Sequence, residues 1–152
     1  MSSRRLEAGK IRGRLEDALG RVRGFVTTER QEGEGGETGN IVWVESVDGD
    51  FDPVSGDNPG GARIGEMPVD LRYSVEIRTA FSIPEGERAG MNEAIDDRIA
   101  LLEDAIREGC RVLQDEDRLI NRWILTGQKV DFGVGGNPWR HESNFNLALS
   151  RR

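Results

Sequence analysis

The stretch VDLRYSVEIRTAF, residues 69–81, decides the fold class because two kinds of side chain alternate along it. Every second residue from Val69 to Phe81 is apolar or a threonine, and nearly all the residues between them are charged or polar. Successive side chains of a β-strand point to opposite faces of the sheet. The stretch therefore predicts a half-buried strand of an antiparallel or mixed sheet, with one face on a core and the other in water.

Two segments on either side of this strand have apolar side chains at the spacing that predicts amphipathic helices. One covers residues 6–22 and the other residues 91–113, where the acidic side chains lie largely away from the apolar stripe. The two stripes are Leu6, Ile11, Leu15, Leu19 and Val22, and Ile95, Ile99, Leu102, Ile106 and Leu113.

Further strands are predicted at residues 41–47, which are β-branched and aromatic, and at residues 144–150, which alternate. Residues 119–126 and 129–134 are predicted as strand pieces separated by Gly127, where we expect a bulge or turn. Strands and helices do not alternate regularly, which disfavours a doubly wound parallel sheet. The prediction is an α+β fold: a single antiparallel or mixed β-sheet of about four to five strands packed against two main α-helices.

The chain has the usual length of a single domain, and residues 1–152 are predicted to form one. Two segments rich in turn-forming residues, at about 27–40 and 48–67, are predicted as flexible loops. A loop of about 20 residues inside a compact domain is usually functional, disordered or used to reach a neighbour.

The net charge of −7 is concentrated in one segment, residues 85–117, which holds eleven acids and four arginines. A general phosphate-binding surface needs clustered basic residues, so this distribution argues against one. The single cysteine, Cys110, excludes an intrachain disulfide. A charged N-terminus and the lack of a long apolar segment predict a soluble, cytoplasmically made protein without membrane contact.

Motifs for catalysis are weak. His141-Glu142 would need a second histidine four residues after the first, but that residue is Phe145 and the chain has one histidine. Cys110 lies near carboxylates that would raise its pKa, so it is predicted as a packed thiol. The glycine-rich residues 33–39 lack a preceding strand and the lysine of a phosphate-binding loop. The sequence predicts no enzyme and no cofactor.

Asp48, Asp50 and Asp52 alternate as the first ligands of a calcium loop do, which makes them weak metal candidates. The sixth loop position should be glycine and is Pro53, and the twelfth should be glutamate and is Pro59. Because of these two mismatches, a calcium-binding module is only an alternative. A small enzyme that uses the acidic helix or Cys110 is another.

The layout of the elements resembles the tail terminator proteins of long-tailed phages and gene transfer particles. The match covers most of the chain from about residue 10, apart from the glycine-rich loops. The segments that carry it are IRGRLEDALGRV, DLRYSVEIRTAF, NEAIDDRIALLEDAIREGCRVL, RLINRWILTGQKVDF and NFNLALSRR. The segment at residues 48–67 is longer than in the family pattern.

The resemblance implies a structural subunit of a phage-like virion that acts at the head–tail junction after assembly in the host bacterial cytoplasm. Such proteins form hexameric rings that close the tail tube and meet a neck or connector protein, without cofactor or covalent chemistry. DNA would pass through the ring without specific binding. A head-completion or neck connector protein is the nearest alternative.

Two groups of residues are candidates for this role: four residues at interfaces with other subunits or partners, and four acids that would face a DNA channel. Phe51 and Trp139 are large aromatics in predicted loops and are candidate interface anchors. Arg151 and Arg152 would sit at the end of the sheet, free to meet an acidic neighbour or water. A negative wall repels phosphate, so acids of the second helix are candidates to face a DNA channel. These acids are Asp96, Asp97, Glu103 and Asp104.

Overall fold

The computed structural model describes residues 3–27, 39–53 and 69–151. Its main elements are the helices α1 (Ser3–Leu19) and α2 (Met91–Arg111), and the strands β1 (Val26–Thr27), β2 (Ile41–Pro53), β3 (Val69–Ser82), β4 (Arg122–Phe132) and β5 (Arg140–Arg151). A π-helical turn, Val112–Glu116, continues α2. No helix within the described ranges has the length and apolar content needed to cross a bilayer.

The five strands form one sheet in the order β1-β2-β3-β5-β4. β1 pairs with β2 in parallel, and every other neighbouring pair is antiparallel. The sheet is therefore mixed, and it packs against two main helices. The predicted α+β fold is confirmed.

The core lies between the helices and one face of the sheet, and the alternation of residues 69–81 explains why. From Tyr73 to Phe81 every second residue of β3 is buried, and the apolar stripes of α1 and α2 pack against them. Thr79, the one polar residue of that series, is also buried, and its hydroxyl donates to the carbonyl of Ile41 at 2.7 Å. The periodic pattern thus predicted which face of the central strand meets the helices.

The predicted loop at residues 48–67 is wrong over its first six residues. β2 continues through Pro53, and Asp48, Asp50 and Asp52 pair with residues of β3. Aspartate, glycine and proline disfavour strands locally, but pairing with a long neighbouring strand overrides that preference. Residues 54–67 lie outside the described part of the chain, as do residues 28–38 of the other predicted loop.

The predicted strand pieces around Gly127 form one strand, β4. Its register with β5 shifts between Leu125 and Gly127, so the predicted irregularity is a β-bulge. Residues 119–121 precede the strand, and Gly133 follows it with a φ of 67°. The last strand begins at Arg140, four residues before the predicted start.

Gly109 of α2 lies at a close contact with α1. A Cβ atom there would lie 3.0 Å from Cδ2 of Leu15 and 3.3 Å from Cβ of Ala18. A glycine inside a helix costs about 1 kcal/mol relative to alanine. At this position the lack of a side chain lets α2 pack closely on α1.

Candidate assembly surface

Cys110 lies in the core and is fully buried. Burial raises the pKa of its thiol to about 12. The sequence predicted a packed, unreactive thiol but named nearby carboxylates as the cause, whereas desolvation is the cause in the structure. At neutral pH the group stays protonated and is a poor nucleophile.

His141 and Glu142 lie on opposite faces of the sheet. The imidazole of His141 is fully buried, with the rings of Phe81 and Phe132 at centroid distances of 5.9 and 5.4 Å. Glu142 is exposed. Consecutive residues of a strand point away from each other, so this pair cannot act on one ion as it would on a helix.

The histidine ring is incompletely hydrogen-bonded. Its Nδ1 accepts a long bond of 3.4 Å from the backbone N–H of Gly133, and its Nε2 has no partner among the described residues. Burial lowers the pKa of His141 below its ordinary value. The ring is therefore a neutral core group.

The calcium candidates Asp48, Asp50 and Asp52 are not in a loop. All three belong to β2, where alternate residues lie on one face but about 7 Å apart along the strand. A calcium loop instead curls so that its oxygens converge at about 2.4 Å from the ion. The extended backbone therefore disfavours the calcium-binding alternative.

The acids predicted to face a channel lie on the side of α2 away from the core. Asp96, Asp97 and Asp104 are exposed, and Glu103 is half-buried. Within the described ranges none of the four forms an ion pair. Their charges are therefore not neutralised by ion pairs within the described part of the chain.

The other predicted contact residues mostly have partners in their own chain. Trp139 is half-buried, with the guanidinium of Arg88 4.4 Å from its ring centre. Arg151 was predicted to be free, but its guanidinium donates to Glu7 of α1 at 3.2 Å. The backbone of Phe51 belongs to β2, while its side chain and the whole of Arg152 lie outside the described part.

The sheet face opposite the helices carries a charged network that is satisfied internally. Arg78 lies 3.1 Å from Glu76 and 3.6 Å from Glu45, and Glu45 also accepts from the indole N–H of Trp43 at 2.6 Å. A depression of about 460 Å³ lies over this network. Because both signs of charge are paired there, the depression does not select a charged ligand.

The two edges of the sheet are the surfaces that sequence reasoning missed. β4 is the outermost strand on one side of the sheet, and among the described residues only β5 pairs with it. Ile124 and Phe132 on this strand are 61% and 63% exposed. At the opposite side β1 pairs only with Ile41 and Val42, so the rest of β2 has no outer partner in the described ranges. Local sequence patterns cannot identify edges, because the strand order is set by tertiary pairing.

Comparisons with known proteins do not assign the chain to a family. No family model matches it, and no curated protein shows significant similarity to it. The surfaces of the fold are therefore the basis for a functional assignment.

Proposed function

We propose that this protein is a tail terminator: a structural subunit that forms a ring, closes the tail tube of a phage-like particle and joins it to the head or neck. The observation that carries the proposal is the long outer edge of β4, which no strand among the described residues covers. Monomeric proteins usually protect such edges, because unpaired backbone groups recruit further strands. An open edge of this length suits a protein that functions as an assembly.

The chemistry of the core favours a structural role over an enzymatic one. Cys110 and His141, the side chains best suited to nucleophilic or acid–base catalysis, are both fully buried. Neither faces a cavity that could admit a substrate, within the described part of the chain. We therefore propose a protein that performs no covalent chemistry and needs no cofactor.

The acidic side of α2 has a place in this proposal. Asp96, Asp97 and Asp104 are exposed and unpaired in the described ranges, and they would line the passage for DNA. A negative wall repels phosphate, so DNA would move through without binding specifically. The other contacts would be with a tail-tube protein on one side and a neck or connector protein on the other.

Electron microscopy and mass measurement of the purified protein test the proposal. We expect rings of six 16.9 kDa chains, either free in solution or at the ends of tubes formed by the tube protein of the same particle. Tubes should stop elongating when the protein is added. A protein that neither forms rings nor caps tubes would overturn the proposal, and binding only to the connector would indicate the neck alternative.

A further inference from the structure

We infer that copies of this protein join edge to edge, with β4 of one copy pairing antiparallel to residues 43–53 of β2 in the next copy. The edge pairing follows from the strands alone, and its extension to a ring rests on the proposed function. The interface is a continuation of the sheet from one subunit to the next.

The first half of the interface is the outer edge of β4. This strand has 11 residues, and its outward N–H and C=O groups face no strand among the described residues. Arg122 and Lys129 pair in register with Ser150 and Asn144 of β5, on the sheet face that the helices leave uncovered. Both are exposed. Asp131 on the same face lies 3.5 Å from Lys129, so the charged residues of β4 sum to +1. The edge therefore presents a backbone ladder with a small net positive charge, centred on Arg122.

The second half is the part of β2 beyond the short strand β1. β1 occupies Ile41 and Val42, which leaves residues 43–53, a length equal to that of β4. This segment contains four acids and no lysine or arginine. Asp50 pairs in register with Arg72, a residue of the same uncovered face. The two edges thus match in length and have opposite net charges.

Strand direction agrees with this pairing. β2 runs antiparallel to β3, β3 to β5, and β5 to β4, so β4 runs opposite to β2. A second copy placed beside the first, with its helices on the same side, presents β2 antiparallel to β4. The new ladder would extend the sheet with the antiparallel geometry of its three main pairings.

A two-fold pairing of β4 with β4 is the competing arrangement, and charge disfavours it. It would bring Arg122 and Lys129 of one copy close to the same residues of the other. It would also bury the edge in a closed dimer, since a two-fold interface uses the same patch on both subunits. The pairing of β4 with β2 leaves one edge of each kind free, so that further copies can add until a ring closes.

Charge reversal with mutual rescue tests the interface. The β4 variant Arg122→Glu/Lys129→Glu makes both edges negative, and the β2 variant Asp50→Lys/Asp52→Lys places two lysines on the edge that would meet the cations of β4. We expect each alone to be monomeric by analytical ultracentrifugation. Mixed in equal amounts, their edges are complementary again, and assemblies of wild-type mass should return.

Disulfide trapping reports the same contact independently of affinity. Cysteines placed together at Ile124 and Asp50 should give dimers, trimers and longer ladders on a denaturing gel after oxidation. Each single replacement should give none of these ladders. Cys110 stays in place because it is fully buried.

The control for charge is Arg107→Glu/Arg118→Glu, which changes two exposed arginines outside both edges by the same net amount. It should assemble like the wild type, and all variants should keep the wild-type circular dichroism.

Three results would overturn the edge pairing: a monomeric wild type without ladders, a β4 variant that assembles normally, or a mixture that yields only dimers. Edge pairing without capped tubes would leave this inference standing and refute the tail terminator role.

Discussion

Arg14 and Asp117 form a two-point ion pair that ties α1 to the turn after α2, across 103 residues of sequence. The Nε and Nη2 groups of Arg14 donate to the two carboxylate oxygens of Asp117 at 2.8 and 2.9 Å. Lys10 adds a third contact at 3.6 Å. The Asp117 side chain is only 5% exposed, so this carboxylate depends on its partners for solvation. The pair therefore links the two helical segments on the same side of the sheet.

Replacing Asp117 with asparagine should lower the free energy of unfolding by about 1–2 kcal/mol, because charge-assisted hydrogen bonds are lost at a buried position. Half-exposed Arg14 can regain water, which limits the loss. Urea unfolding at pH 7 measures it. Asp115→Asn is the matched control, since it removes the same charge from an exposed residue of the same turn and should change little.

The same ion pair predicts that the stability of the protein depends on pH in the acidic range. The hydrogen bond from Arg14 lowers the pKa of Asp117 below its ordinary value of 3.8. Its contribution to stability is therefore complete above pH 3.8 and is lost as the pH falls through the lower folded-state pKa. Between pH 5 and 2, the free energy of unfolding should fall more steeply with decreasing pH in the wild type than in Asp117→Asn. Parallel curves would contradict this origin.

His141 predicts a second, separate pH effect. Burial lowers its pKa below 6.5, so the unfolded chain binds a proton at pH values where the folded protein does not. Stability should be complete above pH 6.5 and decline as the pH falls from 6.5 through the folded-state pKa. His141 is the single histidine of the chain. Urea unfolding from pH 7.5 to 5.5 should show the decline in the wild type and not in His141→Leu.

The helix glycines should respond in opposite directions to substitution. Gly13→Ala should stabilise the protein by up to about 1 kcal/mol, because a Cβ there meets nothing within 4 Å and alanine favours the helix. Gly109→Val should destabilise it by about 1–3 kcal/mol, because its side chain would overlap Leu15 and Ala18. Thermal unfolding measures both, and equal effects at the two sites would refute the close helix contact.

Cys110 should be inert while the protein is folded. Its thiol is fully buried, with a pKa raised to about 12, so almost no thiolate exists at pH 8. A chromogenic thiol reagent should report no reaction in buffer and one equivalent in urea. Reaction of the folded protein at the rate of a free thiol would show that the helix pair opens readily. An activity lost in Cys110→Ala would support an enzyme instead.

Local patterns in the sequence were enough to predict the central strand, both helices and the core side of each. The alternation around Val75 and the stripe around Leu102 each reflect one covered face, which is a property of a single element. The extension of β2 could not be predicted in this way, because Asp50 and Asp52 are held in a strand by β3. Their composition alone indicates a turn.

The surface residues were harder to predict because their partners lie far away in the sequence. Arg151 contacts Glu7 across 144 residues, a pairing that no local pattern encodes. Likewise, the sequence identified the strand containing Ile124 but not its position at an edge. The acids of α2 were placed correctly on the outer side of the helix, since helical periodicity alone fixes that.

The half-buried indole of Trp123 lies on β4, at the edge of the sheet, while Trp43 on β2 is already buried within its own chain and Trp139 lies outside both edges. Tryptophan emission shifts with the water around the ring, so the protein has an intrinsic optical probe at the edge. A concentration-dependent blue shift that is absent from Trp123→Phe would reveal a neighbour at β4 without any label. The same signal would give the rate at which subunits meet.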